Sequence, residues 1–210
     1  MPLLSGHSPA QPLLSLQGLR FAFPGATIPV FDGFSAALPA GVGLVCGDEG
    51  RGKTTLLRLL AGQLAPAAGS MQLAGHPLQP SQVACMDPRH AERQDQVVQD
   101  VLDELVPPAL RPQLAELLPG LDLPTHLPKP LYQLSTGSRR KVFLAAALVQ
   151  SAPLTLLDQP FMALDRPSVD FLCACFRAWT HQPDRLLLIA DYLPPQDVPL
   201  AFTLDLDLTP

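Results

Sequence analysis

The run Gly47-Asp48-Glu49-Gly50-Arg51-Gly52-Lys53-Thr54-Thr55 fits the pattern G-x-x-x-x-G-K-[ST], and few folds are open to a chain that carries it. Glycines let the backbone curl until successive N–H groups point at one anion. Lys53 adds a cation for β- and γ-phosphates, and the Thr54 hydroxyl can ligate Mg²⁺. Such a loop needs a buried strand before it and a helix after it, with the helix N-terminus facing the phosphates. Both flanks are legible. Val42-Gly43-Leu44-Val45-Cys46 is a short apolar run bounded by glycine. Residues 55–61 are helix-forming and stop at Gly62.

The 210 residues suit one domain, or one domain with a subdomain. Hydrophobic content of 47% against 16% charged residues supports a large core and excludes a disordered chain. The formal charge of −5 argues against nucleic acid as the main partner, since backbone binding usually needs a basic face. The 25 prolines read as stiffened loops. The longest apolar stretches, such as residues 142–149, fall far short of the roughly 20 residues of a membrane span. No basic region precedes an apolar core at the N-terminus, so a cytosolic protein is expected. Cys46, Cys85, Cys173 and Cys175 form no C-x-x-C pair, which predicts buried reduced thiols. The five histidines suggest no ligand cluster.

Along the chain, residues 14–23 and 30–38 read as strands, the first ended by Pro24-Gly25. Shorter strands are expected at 69–73 and 83–86. From 88 to 130 the pattern turns helical, with segments at 96–105 and 110–118 broken by prolines. Ser135 can N-cap a helix running to about Gln150. Residues 154–157 make an apolar strand ending in Asp158, followed by a helix over 168–180 and a strand over 186–190. Residues 202–208 alternate as an edge strand. Strands alternating with helices predict a largely parallel α/β sheet. Nucleotide sites lie at the carboxyl edge of such sheets, so Asp158 is placed to hold Mg²⁺ opposite Thr54.

Leu134-Ser135-Thr136-Gly137-Ser138 lies between these two motifs. Here the chain resembles the ATP-binding cassette (ABC) family, whose signature is L-S-G-G-Q; Leu134, Ser135 and Gly137 match, and Thr136 and Ser138 depart. Residues 158–165, Asp-Gln-Pro-Phe-Met-Ala-Leu-Asp, are similar to the family's D-E-P-F-x-A-L-D, and Ala163-Leu164-Asp165 matches its D-loop. Phe23 sits where the family places an aromatic that stacks on adenine. The resemblance implies a P-loop NTPase of the ABC ATPase fold: a RecA-like lobe, an antiparallel β-subdomain and a small helical lobe over about residues 88–150, all in a single cassette. It implies ATP and Mg²⁺ as cofactors, with Gly47, Asp48, Glu49, Gly50, Arg51, Gly52, Lys53, Thr54, Thr55 and Asp158 around them. It also implies head-to-tail dimers, as homodimer or heterodimer, in which Ser135 and Gly137 meet the γ-phosphate on a partner's loop. The implied setting is the inner face of the cell membrane, beside a separate transmembrane permease subunit.

Three departures from the family fall on chemistry. Gln159 stands where the family has a glutamate that polarises the attacking water. Glutamine can orient water but cannot take its proton, and a lost general base typically costs about 10²–10⁴ in rate. Asp191 occupies the place of the switch histidine, where a carboxylate repels a γ-phosphate. Met86 replaces the Q-loop glutamine. The binding parts are retained and the hydrolytic parts substituted, which suits a subunit whose signature completes a partner's better site. The alternative class is a non-transport ABC protein acting as a regulatory or structural ATP switch. A P-loop kinase or GTPase is disfavoured by the signature segment and by the absence of an N-K-x-D motif.

Overall fold

In the computed structural model, residues 12–86, 93–180 and 182–208 are described. An antiparallel sheet is built from β1 (Leu14–Phe21), β2 (Phe31–Leu38), β4 (Ala68–Leu73) and β5 (His76–Pro77), in the order β2-β1-β4-β5. A second sheet holds β3 (Gly41–Cys46), β6 (Val83–Cys85), β7 (Leu154–Asp158), β8 (Leu186–Ala190) and β9 (Phe202–Asp205), in the order β6-β7-β8-β3-β9. All four of its pairings are parallel.

The central strands of this sheet read as unbroken apolar runs because both faces are covered. Side chains alternate between two cores. Val42, Leu44, Leu157, Leu187 and Ile189 point into one. Val45, Leu154, Leu156, Leu186 and Leu188 point into the other. The first core is closed by α2 (Val98–Leu105), α3 (Arg111–Leu117), α4 (Thr136–Val149) and α5 (Arg166–Trp179). The second is closed by α1 (Lys53–Leu60) and by the inner face of the antiparallel sheet. One buried group fits poorly: Thr155 on β7 is 0% exposed, and its hydroxyl has no hydrogen-bond partner among the described residues.

Prolines start turns rather than interrupt elements. They open the first turns of α3 and α5 and the short 3₁₀ segments at Pro80, Pro108, Pro119 and Pro124, where their fixed φ and missing N–H cost nothing.

Several boundaries differ from the sequence reading. β1 stops at Phe21, leaving Phe23 outside the sheet. α2 starts at Val98 because Val97 is taken up in a bridge with Pro130. α5 starts at Arg166 because the Asp165 carboxylate caps it, accepting the Ser168 N–H at 3.0 Å. β9 ends at Asp205 because the chain then turns back on the phosphate loop. All four cysteines are free, but only Cys173 is fully buried. Met86 is 5% exposed and packs in the first core, so it presents no side chain for a relay to another subunit. The residue after it lies outside the described residues.

Candidate functional site

β3 delivers the phosphate loop at the carboxyl edge of the parallel sheet, between β8 and β9. β7 and β8 end at the same edge with Asp158 and, one residue past the strand, Asp191. The loop's curl rests on Gly52, whose φ is 97°. A Cβ there would stand 2.6 Å from Val30 Cγ1, so only glycine lets the loop lie against the connection between β1 and β2. Gly52 gives α1 no side-chain cap, and the first turn carries no acidic residue. Its N–H groups, without intrahelical acceptors, suit an anion.

Three side chains define the centre of the site. Lys53 is 7% exposed and donates from Nζ to the Gly47 carbonyl at 2.6 Å and the Asp48 carbonyl at 2.9 Å. Thr54 Oγ1 donates to Asp158 Oδ2 at 2.7 Å. Burial pushes the Asp158 carboxyl above its usual range, while Thr54, Arg140 and Lys53 pull it back. A hydroxyl and a carboxylate in contact beside a phosphate cradle suit Mg²⁺, which needs only one or two protein ligands besides phosphate and water. The donor set therefore fits a nucleoside polyphosphate with its metal.

Gln159 follows Asp158 in a left-handed conformation, with φ 46°. Its N–H donates to the Ala190 carbonyl at 2.8 Å, and its own carbonyl accepts from Arg140 Nη1 at 2.8 Å. The peptide groups on both sides of Gln159 are thus fixed at the sheet edge. Asp191 is half-buried; its N–H donates to the Val45 carbonyl at 3.1 Å, and its Oδ1 accepts the Tyr192 N–H at 2.8 Å. Burial first, and then the Asp158 charge, raise its pKa.

The structure gathers Gly47, Gly50, Gly52, Lys53, Thr54, Asp158, Gln159 and Asp191 around one edge. Asp48 and Arg51 turn outward to Asp207, which accepts the Asp48 N–H at 2.8 Å and pairs with Arg51 Nε at 2.6 Å. Glu49 is exposed and Thr55 is buried. Phe23 is 41% exposed and meets Phe21 edge-to-face at 5.0 Å. A cavity of about 420 Å³ next to the loop is lined by Ile28, Val30, Phe31, Asp32, Gly50 and Arg51. Ser135 takes no part in this cluster. Its Oγ caps α4 by accepting the Ser138 N–H at 3.0 Å. Gly137 packs so tightly that a Cβ would come 2.2 Å from the Ala163 carbonyl oxygen, tying the signature turn to the D-loop.

Three neighbours of the site escape a motif reading. Arg140 Nη1 caps the carbonyls of Asp158 and Gln159, at 3.1 and 2.8 Å. Tyr192 places its ring 4.2 Å from Lys53 Nζ. Asp207 grips the loop from the far end of the chain. Only Arg140 leaves a trace in the sequence, inside the basic run Arg139-Arg140-Lys141.

Comparison with known proteins places this geometry. The family profile for ABC transporters matches residues 33–162. The taurine import ATP-binding protein TauB of Pseudomonas entomophila is 36% identical over 166 residues, covering 73% of this chain and 62% of the relative. The chain thus spans less than two thirds of that relative's length. The nickel import ATP-binding protein NikO of Rhodobacter capsulatus is 30% identical over 204 residues, covering 86% of this chain and 80% of the relative. Among solved structures, an ATP-binding subunit of an ABC transporter superposes with a TM-score of 0.74 at 20% identity, covering 85% of this chain and 79% of that one. The cbiO1 protein of Clostridium perfringens, part of the ABC transporter complex cbiONQ, gives 0.63 at 19% identity, covering 87% and 79%. These two share the fold: a P-loop NTPase of the ABC ATPase type. On the profile match and the import subunits it resembles, the chain belongs to the ABC transporter family.

Proposed function

We propose that this chain is the ATP-binding subunit of an import-type ABC transporter, binding ATP firmly and hydrolysing it slowly or only with a partner's help. The observation that carries the reading is the Thr54–Asp158 contact at 2.7 Å beside an uncapped helix N-terminus, with Gln159 next in sequence. Thr54 and Asp158 would hold Mg²⁺, which when bound offsets phosphate charge. Lys53 and the loop N–H groups hold the phosphates, and the cavity beside Gly50 and Arg51 lies next to them. Gln159 can orient a water through its amide but cannot take a proton from it. Asp191 adds a negative charge where the family uses a histidine donor.

The family supports the remaining parts of this reading. We read the chain as one cassette whose helical lobe, among the described residues, runs from about 93 to 150. A second cassette, the same chain or a related one, meets Ser135 and Gly137 across a shared ATP. A separate permease anchors the pair at the inner face of the membrane; among the described residues no helix is long and apolar enough to cross it. The names of the two relatives above, both import ATP-binding proteins, support the direction.

Calorimetric titration with Mg-ATP, paired with steady-state phosphate release, tests this. Saturable binding that Lys53→Ala abolishes, with little turnover, is the expected result. Turnover at ordinary ABC rates from the pure protein would sink the slow-hydrolysis reading, and recovery from cells with ribosomes rather than a permease would favour the non-transport switch.

A further inference from the structure

Lys53 has to meet phosphate oxygens, yet it is 7% exposed. Two of its three N–H bonds are taken by the Gly47 and Asp48 carbonyls. The third side is covered by the Tyr192 ring, 4.2 Å from Nζ to centroid. A cation over the face of an aromatic ring is attracted to its quadrupole. The ammonium is therefore fully engaged by this chain's own groups.

Tyr192 is built to move off. Its backbone is held where β8 ends: Asp191 bonds Val45, and the Tyr192 N–H bonds the Asp191 carboxylate. Its side chain is not held in a core, and the residue is 50% exposed. A fixed backbone and an exposed ring give a cover that turns about its own side-chain torsions.

We propose that Tyr192 is a lid on Lys53, competing for the ammonium with the outer phosphates of the nucleotide and so setting affinity according to phosphate number. This rests on the nucleotide reading of the loop. A phosphate-loop lysine reaches the β- and γ-phosphates. A nucleoside di- or triphosphate must displace the ring, whereas a monophosphate does not reach it. The ring, not the hydroxyl, does the covering.

Two measurements on the wild type, Tyr192→Ala and Tyr192→Phe test the lid. The first needs no nucleotide: the rate of lysine acetylation, followed by mass spectrometry. Lys53 is one of three lysines, so its peptide is read directly against Lys129 and Lys141. Lys53 should react faster in Tyr192→Ala and at the wild-type rate in Tyr192→Phe. The second is calorimetric titration with Mg-ATP, Mg-ADP and AMP. Tyr192→Ala should bind ATP and ADP about 2- to 30-fold more tightly, the span of a cation–π contact from exposed to desolvated. AMP binding should not change, and Tyr192→Phe should match the wild type. Unchanged Lys53 labelling in Tyr192→Ala overturns the lid, as does weaker ATP binding in that variant or a Tyr192→Phe that behaves like Tyr192→Ala. Faster labelling with no ATP or ADP binding by any of the three proteins leaves the cover standing and overturns the nucleotide reading instead.

Discussion

Gln159 and Asp191 stand side by side at the sheet edge, joined through the Gln159 N–H to the residue before Asp191. On the slow-hydrolysis reading the two act by different chemistry, so substitutions at them should not simply add. Gln159→Glu restores a proton acceptor, worth about 10²–10⁴ in rate where a base is limiting. With Asp191 still present, the new carboxylate stands beside those of Asp158 and Asp191. The large step in phosphate release is therefore expected from Gln159→Glu with Asp191→His, and a small one from Gln159→Glu alone. A single variant that reaches the full rate would show Asp191 to be harmless. Asp191→Asn should tighten Mg-ATP binding at pH 7 by about fivefold, matching roughly 1 kcal/mol between unit charges 4 Å apart in water. The pH dependence has a definite sign. Burial raises the Asp191 pKa, so the wild-type carboxylate protonates before an ordinary one as pH falls. The gap between wild type and Asp191→Asn should therefore close on acidification and be widest at neutral pH. A titration series across pH checks it.

At the scale of elements, the join between α4 and α5 is electrostatic. Lys141 on α4, its side chain 6% exposed, reaches the Asp165 cap of α5 at 2.8 Å. The bonds from Lys141 and Ser168 hold the Asp165 carboxyl down at about 2, from 3.8. A depressed carboxylate stabilises the fold above its unfolded value and loses that contribution as pH falls through the folded one. The stabilisation should be complete above pH 3.8 and drain away toward about pH 2. Asp165→Asn should flatten the acid limb of a stability–pH curve over that window. On β7, the unpartnered Thr155 hydroxyl makes the opposite prediction. Thr155→Val removes a buried polar group without changing shape and should stabilise by about 1 kcal/mol, read as a higher urea midpoint at unchanged slope. The helix caps show what local sequence can and cannot tell. Ser135 was legible as a cap because it stands before a long apolar run. Asp165 was not, because the same carboxylate reads equally well as the close of the D-loop.

Across the whole molecule, what the sequence revealed follows from how local each signal is. Strand, loop and helix around Lys53 are adjacent in the chain, and their order is dictated by short-range chemistry. The approach of Thr54 to Asp158 was also readable, because parallel sheets collect strand ends at one edge. Tyr192 over Lys53 and Asp207 on the loop are contacts between distant segments with no motif of their own. Met86 packs in the first core, a placement that one residue of register decides. The Asp207 grip bears on how the protein is made. The Asp48–Asp207 bond joins residues 159 positions apart. β8 and β9, which flank β3, also arrive late in the chain. Contacts of such long range close slowly and last. On a ribosome, the phosphate loop emerges early but lacks both its flanking strands and its clasp until Asp207 has been synthesised. On the nucleotide reading, full capture is then expected only once this segment has joined the sheet.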